Sequence, residues 1–198
     1  MPVYRVDPMW GQACSAYHIQ FRFPDTALER ISTIQDRLEQ TIAGLRRVPL
    51  TAIHMTVITL LHPQAGPEAD AVWRQYGAQW TDSIERVCAS AAPVHLVLDT
   101  VKAFDAAIVL MTEQCRTLQR LREELVEGLA PPRAAAVPHI GHASLFRYAN
   151  LQAAGHERLS ALVYAETVDV EIAEMLLVRE TRYPSLEVEV LRRLPLSA

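Results

Sequence analysis

Two tetrapeptides of this chain share one pattern of reactive side chains. His54-Met55-Thr56-Val57 lies in the apolar run Ile53–Leu61, and His142-Ala143-Ser144-Leu145 opens the apolar run His142–Phe146. Each reads His, any residue, hydroxyl residue, aliphatic. Successive side chains of a strand point to opposite faces, so the His and the hydroxyl two residues on share one face. Two such strands side by side would set two imidazoles and two hydroxyls around one small anion. Imidazole, with an ordinary pKa of about 6.5, gives or takes a proton near neutrality. That arrangement suits general acid–base chemistry on a phosphodiester.

The elements that must carry these motifs are legible in outline. Tyr17–Phe23 alternates apolar with polar residues and reads as a strand ended by Pro24. Asp25 or Thr26 then caps a helix with Leu28, Ile31, Ile34, Leu38, Ile42 and Leu45 at helical spacing, weakened or ended at Gly44. The first motif strand follows over about residues 52–61. A second amphipathic helix runs over Glu68–Ser90, with an interruption expected near Gly77. Val94–Phe104 and Ala106–Met111 read as a hairpin around Asp105. A third helix is expected over residues 113–128. The proline-rich stretch Pro131–Pro138 is a stiff connector and the best lobe boundary. After the second motif strand come a fourth helix over Leu151–Tyr164 and two strands, Val168–Arg179 and Leu186–Leu194, around a Tyr183-Pro184 turn. Strands paired in the middle and helices outside predict an α+β protein with two antiparallel sheets.

The bulk numbers narrow the function. With 198 residues the chain fits one domain, 1–198, or two lobes sharing a core. A net charge of −4 and the lack of long Lys/Arg runs argue against duplex DNA and favour a small or single-stranded partner. The three cysteines, Cys14, Cys88 and Cys115, form no zinc pattern, which suits a reduced cytoplasmic protein. The longest apolar runs are far too short to span a bilayer, so no membrane role is expected. GxSxG, P-loop and GxGxxG patterns are missing from the sequence.

The remaining histidines and aromatics have plainer readings. His139 and His142 form an HxxH, but Pro138 and Gly141 argue against the helix that a metal pair would need, and no metal is expected. His18 and His95 read as structural or surface residues, and His62 and His156 as solvated. Trp73, Tyr76 and Trp80, at helical spacing, read as core. Tyr17, Tyr148 and Tyr183 are the candidates for stacking on a base near the motifs.

The paired motifs, with Tyr17–Phe23, the Val94–Met111 region and the C-terminal stretch Met175–Glu180, Tyr183-Pro184 and Leu186–Leu194, resemble the 2H phosphoesterase family over most of the chain. That family includes the bacterial RNA 2′,3′-cyclic phosphodiesterases, also called RNA 2′–5′ ligases. The resemblance implies a bilobal fold with a central cleft and pseudo-two-fold lobes. It implies His54 and His142 as the acid–base pair and Thr56 and Ser144 as holders of the phosphate oxygens, with no metal or cofactor required. Some relatives carry Arg three residues after the second hydroxyl, where this chain has Arg147. Strict alternation points Arg147 away from Ser144, so a role for it requires a bulge or a strand end. The implied reaction is hydrolysis of a cyclic phosphate or a short 2′–5′ or 3′–5′ linked nucleotide, by a monomer acting on a small nucleotide or an RNA end. Which histidine is the base, and whether the chain hydrolyses or ligates, stay open. The alternatives are a binding module that keeps the cleft without turnover and a metal-dependent hydrolase built on His139 and His142.

Overall fold

The computed structural model describes residues 4–63, 67–112, 115–129, 135–150, 157, 159 and 166–197. The first strand, β1 (Ala13–Arg22), is followed by helix α1 (Asp25–Thr41). The short β2 (Leu45–Arg47) and a 3₁₀ turn (Leu50–Ala52) lead into β3 (His54–Leu61), which carries the first motif. Helix α2 (Pro67–Ala89) precedes β4 (Val94–Leu98), β5 (Thr100–Ala103) and β6 (Ala107–Thr112). Helix α3 (Arg116–Gly128) leads to β7 (Gly141–Tyr148), which carries the second motif. The chain then forms β8 (Val168–Ile172), β9 (Glu174–Arg182) and β10 (Glu187–Pro195). The expected fourth helix and the Pro131-Pro132 part of the connector lie outside the described residues.

The fold is α+β, as the sequence leads one to expect. Among the described residues, ten strands form two antiparallel sheets. The large one runs β10-β9-β1-β3-β7-β6-β5, with β2 also on β7, and the small one is β4-β8. The two motif strands are therefore neighbours. They touch through one rung only, Met55 opposite Ala143. Both residues are fully buried. Alternation then turns His54, Thr56, His142 and Ser144 to the opposite face of the sheet.

A bulge interrupts β7 just past its motif. On β6, Val109 pairs with Ser144 and Ile108 with Phe146, so Leu145 has no partner there. Burial along β7 shows the same slip: alternation holds through Ser144, then Leu145 and Phe146 are both buried. The extra residue brings Arg147 back to the face of Ser144. A buried glutamine of α1 holds the bulge. Gln35 Nε2 donates to the carbonyls of both Leu145 and Val48, each at 2.9 Å, and the Val48 N–H also reaches the Leu145 carbonyl at 3.0 Å. Gln35 Oε1 accepts from Arg47 Nε.

Several sequence expectations need correcting. Pro24 takes the cap position of α1 and makes no side-chain bond, so neither Asp25 nor Thr26 caps that helix. Helix α2 is unbroken at Gly77, because the missing side chain makes room for the indole of Trp73; a Cβ there would lie 2.6 Å from it. The expected Val94–Phe104 strand splits at Asp99. Its second half pairs with β6, while β4 leaves to pair with β8. Val168–Arg179 likewise breaks at Ala173 into β8 and β9.

Gln35→Leu should lower stability by about 1–3 kcal/mol, because the Val48 carbonyl loses its side-chain donor, the Leu145 carbonyl keeps only the Val48 N–H, and Arg47 Nε loses an acceptor. Chemical denaturation measures this. A neutral effect would mean that the bulge does not depend on Gln35.

Candidate active site

The cleft lies where the two halves of the large sheet meet, and its volume is about 290 Å³. His54, Thr56, His142, Ser144 and Arg147 all line it, as does Tyr183. Six of the eight residues singled out from the sequence thus come together. Tyr148 is buried, its hydroxyl donating to the Phe104 and Ala107 carbonyls, so it offers no face to a base. Tyr17 does not reach the cleft either. It lies on the other face of β1, stacked on Trp73 of α2 with ring centroids 4.4 Å apart, and its hydroxyl donates to Asp70 at 2.7 Å. Trp80 is buried in the core, as its helical spacing suggests.

His54 is fixed at its backbone side. Its Nδ1 lies 2.9 Å from the carbonyl oxygen of Ala52, in the 3₁₀ turn that feeds β3. A carbonyl only accepts, so Nδ1 carries the proton and Nε2 holds a lone pair. Burial, and then the nearby His18, push the imidazole down to about 3. Burial also holds His142 below the ordinary histidine value. Its Nδ1 is buried and makes no hydrogen bond among the described residues. Both rings are therefore neutral at neutral pH.

Arg147 supplies the positive charge. Its Nη2 lies 3.5 Å from Ser144 Oγ, its Nη1 lies 3.6 Å from Asp7 Oδ2, and its guanidinium sits 5.6 Å from the ring centre of Tyr183. Tyr183 is anchored by main-chain bonds to the N-terminal turn, from Gly11 N–H to its carbonyl and from its own N–H to Gln12.

Two cleft residues escaped the sequence reading. His18, only 4 % exposed, stacks on His54 with centroids 5.5 Å apart. Its Nε2 donates to Gln20 Oε1 at 3.0 Å, and its Nδ1 lies 3.7 Å from Glu180 Oε2. Burial pushes His18 down to about 4 and pushes the Glu180 carboxyl up. Glu180 Oε1 accepts the Ser185 N–H at 2.8 Å. The available signal was alternation on β1, which sets Ala16, His18 and Gln20 on one face. Using it required knowing that β1 pairs with β3. His62, expected to be solvated, is exposed yet sits on the cleft rim. His139 lines a separate depression beside α3, away from the motif pair. No group of three or more His, Cys, Asp or Glu among the described residues could hold a metal ion.

These pKa values set a pH dependence of stability. The unfolded chain protonates His18 and His54 near 6.5, whereas the folded chain does so only near 4 and 3. Between those values the unfolded state binds more protons. Stability should thus fall as pH drops below 6.5, with a limiting slope of about 1.4 kcal/mol per pH unit for each group. Thermal unfolding from about pH 7.5 to 4.5 tests this, and His18→Phe should flatten the fall. The raised Glu180 carboxyl opposes this fall at low pH, so the comparison with His18→Phe is decisive: an equal fall in both proteins would overturn the assignment of a neutral His18.

Comparison with known proteins agrees with the geometry. The structure of TT0787 of Thermus thermophilus matches with a TM-score of 0.70 at 17% identity, covering 91% of this chain and 97% of that one. E. coli LigT in apo form matches at 0.68 and 15% identity, and LigT complexed with 3′-AMP at 0.69 and 16%; each covers 94% of this chain and 100% of the other. No curated protein matches the chain by sequence. No described helix is long and apolar enough to cross a membrane. A family model for the 2′-5′ RNA ligase superfamily matches residues 23–184, most of the chain, and with the shared fold it shows that this protein belongs to that superfamily of 2H phosphoesterases.

Proposed function

We propose that the cleft hydrolyses a phosphodiester, without a metal, in a cyclic phosphate or a short 2′–5′ or 3′–5′ linked nucleotide. The observation that carries this reading is the single Met55–Ala143 rung. It sets two His and two hydroxyls on one face of adjacent strands, with Arg147 beside them. Extending that register by one residue each way sets His54 opposite Ser144 and Thr56 opposite His142. The two imidazoles are then diagonal, on opposite sides of a central anion.

The roles follow from the protons. His54 holds a lone pair at Nε2 and stays neutral, so it acts as the base that takes a proton from water. The water oxygen forms a bond to phosphorus and the bond to the departing ribose oxygen breaks. His142 gives that oxygen its proton. The bound phosphate's negative charge favours protonation of the nearby His142, so the acid is charged as the substrate binds. Hydroxyls of Thr56 and Ser144 and the guanidinium of Arg147 stabilise charge on the non-bridging oxygens. LigT structures with 3′-AMP, ATP and NADP+ support a nucleotide ligand for the related cleft here. On this reading residues 1–198 form one domain of two lobes, each contributing one motif strand. It acts as a monomer in the cytoplasm on a small nucleotide or a single-stranded RNA end.

His54→Ala and His142→Ala should each lower turnover of 2′,3′-cyclic nucleotides and cyclic-ended oligonucleotides by about 10²–10⁴-fold, with EDTA present throughout. A p-nitrophenyl phosphodiester separates the roles, because its leaving group needs no acid. On that substrate His142→Ala should recover much of its rate and His54→Ala should not. The reverse pattern would exchange the roles. Full activity in either variant would overturn the mechanism. Tight binding without any product would make the cleft a binding module.

A further inference from the structure

Beside Arg147 the sheet carries a second cation on the same face. Arg46 of β2 is the direct cross-strand partner of Arg147 on β7. Opposed residues of an antiparallel pair share a face, with Cα atoms about 4.5–5.5 Å apart. Arg46 therefore stands on the cleft face. Its neighbour Arg47 obeys the same alternation, since it points to the other side and binds Ser32, Asp36 and Glu39 of α1.

Arg46 is exposed and forms no ion pair with a carboxylate among the described residues. Its guanidinium sits 5.3 Å from the ring centre of Trp10, which is half-buried. Arg147 repeats this arrangement 5.6 Å from Tyr183. The two arginine–aromatic pairs are tied together, because Gly11, next to Trp10, donates its N–H to the Tyr183 carbonyl at 2.7 Å. The result is a repeat of one cation and one flat ring, at about one strand's spacing, leading out of the cleft.

We propose that Arg46 and Trp10 form a second nucleotide subsite. Arg46 takes the next phosphate of a single strand whose terminal phosphodiester lies at Arg147, and Trp10 stacks on the adjoining base. This inference rests on the proposed function for its orientation and extends it to the substrate: the preferred ligand is an oligonucleotide end, not a free mononucleotide. The chemistry is that of other single-strand binders, a cation for each backbone charge and an aromatic face that accepts any base.

The test is calorimetric binding of an unreactive tetranucleotide ending in a 2′-phosphate, compared with a nucleoside 2′-phosphate. The wild type should prefer the tetranucleotide by at least tenfold. Arg46→Gln and Trp10→Leu should each cut that preference about tenfold. Arg46→Gln should also reduce the slope of log affinity against log salt by about 0.7, the value for one phosphate contact on a single strand. A preference that survives both substitutions, or a wild type that does not discriminate by length, would overturn the subsite. Because the probe cannot react, the outcome does not depend on catalysis. Length-dependent binding without turnover of any cyclic end would remove the phosphodiesterase reading and leave the subsite. Turnover without length preference would do the opposite.

Discussion

The cleft depends on one backbone contact, the rung between Met55 and Ala143. Elsewhere the large sheet is held by long ladders, β1 with β9 and β9 with β10 on one side, β6 with β7 on the other. At the motif strands it narrows to a single pair. A longer ladder would bring β3 and β7 flush and close the space between their outward side chains. No ladder would let the two imidazoles drift apart. One rung, with both its side chains buried in the core, fixes the register and still leaves room for an anion. The crowding behind it adds rigidity: a Cβ on Gly141 would lie 2.8 Å from Thr112 and 3.4 Å from the sulfur of Met55.

Polar groups in the core then adjust what the rung has aligned. Gln35 is fully buried in a helix that otherwise presents Ile31, Ile34 and Leu38 to the sheet. An apolar residue would be the usual choice there. The glutamine is accounted for by the carbonyls of Val48 and of the bulged Leu145, both of which it caps from α1. In this way a helix on one face of the sheet determines where an arginine stands on the other. Arg122 does similar work behind the first motif strand. Buried in α3, it donates to the carbonyls of Thr56 and Val57.

What the sequence disclosed follows the same division. The two motifs were legible because strand alternation has a period of two, and His-x-Thr and His-x-Ser obey it without any tertiary information. Arg147 was legible as a residue but not as a direction, because the bulge that turns it arises from Gln35, more than a hundred positions away. Tyr17 and His18 are adjacent on one strand, and alternation alone cannot say which face meets a helix and which meets the cleft. Docking of α2 through Trp73 settles it, sending the tyrosine to the core and the histidine to the site. Strand breaks at Asp99 and Ala173 were invisible for a related reason. They exist so that β4 and β8 can pair with each other across a wide separation in sequence.

The chain's three tryptophans fall into two structural settings. Trp73 lies against Tyr17, and Trp80 is closed off in the core beside Tyr76. Their emission follows the docking of α2 on the sheet and so tracks folding. Trp10 stands apart from both, under the Arg46 guanidinium. If the subsite proposed there binds an anion, intrinsic fluorescence would divide by position into a folding signal and an occupancy signal, both readable without attaching a dye.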